Sequence, residues 1–172
     1  MSNPKKDIYN AIKARILDQV QEIKHVLLFN NQFEKDNQEE AFLYPNAFIE
    51  FSQLLSTGTT QQVQNVDMNV TIYMGFERYE TESLTIFDTI QSVYIALQGF
   101  SGACFSGLQR IEEVQDTDHD NVIIWKTIFS TTATDAEAHP SNKLVEANVT
   151  NLNITSDLDI DNDVIRTGDG VF

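Results

Sequence analysis

Ile8, Ile12, Ile16, Val20 and Ile23 recur at spacings of four, four, four and three, with Lys, Asp, Gln and Glu between them. That period lays one apolar stripe along a helix of about 20 residues. Asn3 marks its start, because its side chain can accept from free backbone N–H groups, and Pro4 at the first helical position gives up no hydrogen bond. The run HVLLFN that follows is short and apolar, which suits a strand or a buried turn. Residues 30–44 are polar without a clean period and read as a loop. After Pro45, Ala47, Ile49 and Phe51 alternate with Phe48, Glu50 and Ser52 as a half-buried strand requires. STGTTQQ (56–62) reads as a turn-rich connection. Val66, Met68, Val70, Ile72, Met74 and Phe76 then alternate with Asp67, Asn69, Thr71, Tyr73, Gly75 and Glu77. This period of two assigns one face to a core and the other to solvent or a partner.

The period becomes helical in TESLTIFDTIQSVYIALQGF, where Leu84, Phe87, Ile90, Val93, Tyr94 and Leu97 fall on one side. Thr81 or Ser83 serves as cap and Gly99 as stop. Beyond the small-residue turn SGACFSG, LQRIEEVQD and NVIIWKTIFSTTA read as two strands joined by the turn TDHD, whose aspartates suit a hairpin. Together these elements predict an α+β fold: an antiparallel or mixed β-sheet of about four strands backed by two α-helices on one face, with an extended C-terminal arm. The α+β domain is expected over 1–133. Residues 134–172 carry eight acidic and two basic side chains and isolated apolar positions with no period long enough to fold alone. They are read as an acidic arm that orders against another chain.

Composition narrows the function classes. A chain of 172 residues with 41% hydrophobic positions suits one domain. Its net charge of −15 disfavours a module that reads DNA or RNA. The single cysteine, Cys104, excludes an internal disulfide and is read as a small apolar residue near a turn. The N-terminus lacks the unbroken apolar run of a signal peptide, and no segment has the roughly 20 apolar residues of a membrane span.

Candidate chemistry is sparse. In DLDIDND, Asp157, Asp159 and Asp161 match the first ligands of a calcium loop, but Asn162 stands where the turn glycine belongs and Gly168 where the bidentate glutamate belongs. An alternating strand, with Leu158 and Ile160 opposite the aspartates, is the preferred reading. Asp116, Asp118 and Asp120 fail the same test, with Thr127 at the last position. His25, His119 and His139 lack the paired spacing of a helical zinc site. Glu112 and Glu113 are adjacent on a strand, so they point to opposite faces. Trp125 is assigned to the core. No nucleophile elbow or phosphate loop is present, so neither an enzyme nor a cofactor is expected.

The element order resembles the phage tail-terminator and head–tail neck-ring family. The resemblance covers roughly residues 7–133 and is carried by DIYNAIKARILDQVQEIKHV, PNAFIEF, VDMNVTIYMGF, SLTIFDTIQSVYIALQG and NVIIWKTIFSTTA. It implies a subunit of a closed six- or twelve-fold homo-oligomeric ring in the virion neck or tail, assembled in the host cytoplasm. Such a ring joins portal-proximal and tail ring proteins, leaves a channel for DNA, touches no membrane and has no catalytic residue. The segment after 133 departs from the compact family pattern.

Two surfaces follow as expectations. Asp67, Asn69, Thr71, Tyr73 and Glu77 share the free face of the long strand and are candidates to line the channel. Val149, Leu152, Ile154, Leu158 and Ile160 are candidate docking positions of the arm, through strand addition to a neighbour's sheet edge. The alternative reading is an acidic adaptor that mimics DNA or masks a basic partner.

Overall fold

The computed structural model describes residues 3–33, 43–60, 63–77, 83–117 and 122–136. The chain runs α1 (Pro4–Gln19), β1 (His25–Leu28), β2 (Asn46–Thr60), β3 (Val63–Glu77), α2 (Ser83–Leu97), β4 (Gln109–Asp116) and β5 (Val122–Asp135). The strands form one five-stranded sheet in the order β1-β2-β3-β5-β4. β1 pairs in parallel with the start of β2, and every other pairing is antiparallel.

Helix α1 begins as its sequence dictates: the Asn3 side chain accepts from the Lys6 amide at 3.2 Å, with Pro4 in the first turn. α2 ends at Gly99, whose φ of +74° is the left-handed conformation that glycine adopts without a Cβ penalty. Ile8, Ile12 and Ile16 of α1 and Ile86, Ile90, Val93 and Leu97 of α2 share one core with Met68, Val70, Ile72, Met74 and Phe76 of β3. The strand register brings Ala47, Ile49 and Phe129 onto that same face. Both helices therefore cover one side of the sheet. Each such aliphatic or aromatic side chain contributes about 1.5–3 kcal/mol on burial. Arg15 ties the helices together: its Nε donates to the Ala96 carbonyl at 3.0 Å and its guanidinium lies 5.2 Å from the Phe100 ring centre.

The α+β class and the mixed sheet with two helices on one face hold, with five strands among the described residues rather than about four; the extended C-terminal arm beyond Ala136 lies outside them. The additional strand is HVLL, which is too short to show a period but gains a parallel partner in Asn46–Ile49. α1 stops after 16 residues, and Ile23 reaches the core from the turn beyond it. β2 continues through Ser56, Thr57 and Gly58, which the sequence assigns to a turn, because β3 offers that stretch a partner as far as Val63. Likewise β5 continues through Thr134 and Asp135, the first residues assigned to the arm, which pair with Asn65 and Gln64.

On α2 the core side is shifted from the one expected. Ile90, Val93 and Leu97 are buried as expected and Tyr94 packs against the core, whereas Leu84 is 75% exposed and Phe87 52%, with Ile86 and Ala96 buried instead. This helix carries apolar residues around most of its circumference, and the packing against α1 and the sheet selects which of them go inside. The Thr81 or Ser83 cap, the TDHD turn beyond Asp116 with His119, the aspartates of DLDIDND and His139 lie outside the residues or side chains described.

Candidate functional site

Odd-numbered residues of β3 point away from the helices, and the register extends that helix-free face across the sheet. Glu50 lies beside Thr71, Thr132 beside Asp67, Lys126 beside Tyr73 and Val122 beside Glu77. The five residues singled out from the sequence do share this face. Asp67 and Glu77 are exposed, Asn69 and Tyr73 are half-buried, and Thr71 is only 4% exposed between Glu50 and Ile128. The open charges of the set are thus Asp67 and Glu77 alone.

The end of the face near β1 is aromatic. Phe29, just past β1, stacks on Tyr73 with ring centres 4.0 Å apart and planes 5° from parallel. The Tyr73 hydroxyl donates to Glu50 Oε2 at 2.6 Å, and the Lys126 ammonium lies 5.3 Å from the Tyr73 ring centre while pairing with Asp116. Phe33 meets the edge of Phe48 and closes over Gly75. A Cβ at Gly75 would fall 2.6 Å from Asn46 Oδ1 and 2.7 Å from Phe33 Cε1, so glycine is required by close approach. These groups bound a cleft of about 270 Å³ with Asn31 and Ile124. The distal end is a ladder of small polar groups, with Thr132 Oγ1 donating to Asp67 at 2.7 Å and Thr134 Oγ1 to Asn65 at 3.2 Å.

Sequence reasoning missed Glu50, Glu112, Asp116 and Lys126 as members of this face. They come from three other strands, and only the pairing register places them beside β3. With Asp67 and Glu77 they make the described face acidic, Lys126 being its one Lys or Arg among the described strand residues. Among the described residues, no group of three or more His, Cys, Asp or Glu side chains is placed to hold a metal ion. No described helix is long and apolar enough to cross a membrane. The arm positions Val149, Leu152, Ile154, Leu158 and Ile160 lie outside the described residues.

The two edges of the sheet differ. At one edge α2 lies over β5 and β4, with Phe87 edge-on to Trp125 and Tyr94 under the Arg110 guanidinium. Its outer flank exposes Leu84 and Ile95, and β4 adds Ile111. At the other edge β1 exposes Leu27 and Leu28.

No protein-family model and no curated protein matches the sequence. Among solved structures, the chain is similar to one chain in the virion of a native gene transfer agent particle. The TM-score is 0.47 at 10% identity, over 73% of this chain and 96% of that one.

Cys104 lies where SGACFSG crosses beside β5, with its carbonyl accepting from the Thr134 amide at 3.0 Å. It is half-buried, as its reading as a small apolar residue implies. Burial pushes its thiol pKa up and the Asp7 carboxylate adds to the rise, against a smaller lowering by a backbone hydrogen bond. The thiolate is the reactive form, so Cys104 should react with a neutral disulfide reagent more slowly than free cysteine at neutral pH. Asp7→Asn should speed it by removing the repelling charge. Equal rates in the two proteins, read by absorbance, would remove Asp7 from the account.

Proposed function

We propose that this chain is a structural virion protein that closes into a homo-oligomeric ring of six or twelve copies in the neck or tail of a phage-like particle. The observation that carries the reading is unlike exposed apolar residues at the two ends of the sheet: Ile111 on edge strand β4 with Leu84 and Ile95 on the overlying α2, and Leu27 and Leu28 on edge strand β1. When one set meets the other on the next copy, the contact is heterologous, and such contacts generate a ring if the rotation closes. The ring joins head-proximal and tail components, and the chain needs no catalytic residue or cofactor for this.

The helix-free face suits a channel wall. Glu50, Asp67, Glu77 and Glu112 repel phosphates, Asp116 being offset by Lys126, and at contact range this repulsion outlasts physiological screening over about 8 Å. DNA then passes without sticking. Within the proposed wall, Asp67 and Glu77 face the lumen, Asn69 and Tyr73 support them, and Thr71 acts from beneath. The arm, through Val149, Leu152, Ile154, Leu158 and Ile160, serves inter-subunit or inter-ring docking.

The second reading, an acidic adaptor, is favoured by the charge of −15 alone. Native mass measurement of the chain, by itself and mixed with neighbouring neck proteins, separates the two. A species of six or twelve copies is expected. A monomer or dimer under every condition would reject the ring.

A further inference from the structure

Among the described residues the outer edge of β2 beyond Ile49 is open, interrupted only by register irregularities at Ser52/Leu55 and Gly58/Thr60. β1 covers only Asn46–Ile49, with Phe29 donating its amide to the Ile49 carbonyl, and among the described residues nothing pairs with that edge from Phe51 to Thr60. Exposed sheet edges usually carry charges or proline that discourage a further strand. This stretch, FSQLLSTGTT, has neither, and it exposes Leu54 and Leu55, the latter at 68%. By contrast, the β4 edge carries Arg110, Glu112, Glu113 and Asp116.

We propose that residues 152–160 of the same chain add to this β2 edge as an antiparallel sixth strand. Four observations select this occupant. The first is pattern: Leu152, Ile154, Leu158 and Ile160 alternate with Asn153, Thr155, Asp157 and Asp159, as a strand with one apolar face requires. The second is length, since nine residues fit along the ten from Phe51 to Thr60.

The third observation is reach. Asp135 pairs with Gln64, and Gln64 with Gly58, so the end of β5 stands two strand spacings, about 10 Å, from the distal end of β2. A flexible link of 16 residues, the length of 136–151, has a root-mean-square span of roughly 20 Å, enough to raise the local concentration of the strand at this edge. Because the chain arrives at the distal end, the added strand runs back toward Phe51, antiparallel to β2. The fourth is charge. An acidic strand meets no carboxylate along 51–60, whereas Glu112, Glu113 and Asp116 would repel it from β4. This strand belongs to the free subunit, gives way to the docking of the same residues on a neighbour when copies assemble, and so does not depend on the ring reading.

Amide hydrogen exchange of the full chain, at a dilution where native mass shows a monomer, tests the proposal. The outward-facing amides of 51–60 should exchange about tenfold or more slowly than in a chain ending at Ala136. A full-length Ile154→Pro/Leu158→Pro variant, which cannot complete the ladder, should lose the same protection while keeping its circular dichroism. Equal exchange in all three proteins overturns the proposal. Protection that survives truncation and grows with concentration also overturns it, because a second copy's edge is then the occupant.

Discussion

Ile95→Glu should leave the subunit folded and stop it from assembling. Ile95 is 66% exposed on the α2 flank, so the folded monomer tolerates a carboxylate there at a cost within about 0.5 kcal/mol. In a ring built on this flank, the same carboxylate would be buried against Leu27 and Leu28 of the next copy without a partner. Burying an unpaired charge costs several kcal/mol, and a closed ring incurs that cost at every interface. The expected result is a monomer by native mass with an unchanged melting curve. Gln19→Glu, the same charge on the exposed side of α1, should still form the ring. A ring from the Ile95→Glu protein would exclude the α2 flank from the interface, and loss of the ring by Gln19→Glu would show that charge alone disrupts assembly.

The largest loss of stability is expected from Phe129→Ala. Phe129 is fully buried on β5, opposite Val70 of β3 and Arg110 of β4, where the strands come together under the helices. Removing a buried aromatic ring forfeits its burial and leaves a cavity that close-packed neighbours fill only partly, about 3–5 kcal/mol in all. Against a total stability of roughly 5–15 kcal/mol, that is a large fraction. A urea titration should show the midpoint falling with an unchanged slope. A shift worth less than about 1 kcal/mol would mean that the core collapses around the site far more readily than its packing implies.

Much of this fold can be read from single residues, and the exceptions have one physical origin. The α1 stripe, its Asn3–Pro4 start, the Gly99 stop and the two faces of β3 are local: each depends on neighbours a few positions away. HVLL has no local signature of a strand and becomes one only beside Asn46–Ile49. Thr57, Gly58 and Thr60 favour turns by composition and are extended because β3 continues beside them. The buried side of α2 was legible in part: Ile90, Val93 and Leu97 are inside as expected, but Leu84 and Phe87 are exposed, since its apolar residues outnumber those the core can accept. The candidate face divides the same way: its β3 positions follow from parity, whereas Glu50, Asp116 and Lys126 follow from register, and the burial of Thr71 follows from its flanking neighbours.

The strand order also bears on how the chain is made. β5 is last in sequence among the described strands, yet it sits inside the sheet between β3 and β4. Its pairing with β3 joins positions as far apart as Gln64 and Asp135. Such distant partners are slow to meet, because the loop between them must close before their contacts form. During synthesis the β2–β3 hairpin and both helices emerge while the inner edge of β3 still waits for residues 122–135. A nascent chain therefore presents an open, largely apolar strand to other nascent chains. Aggregation during overproduction should begin there, before any finished subunit exists to form a ring.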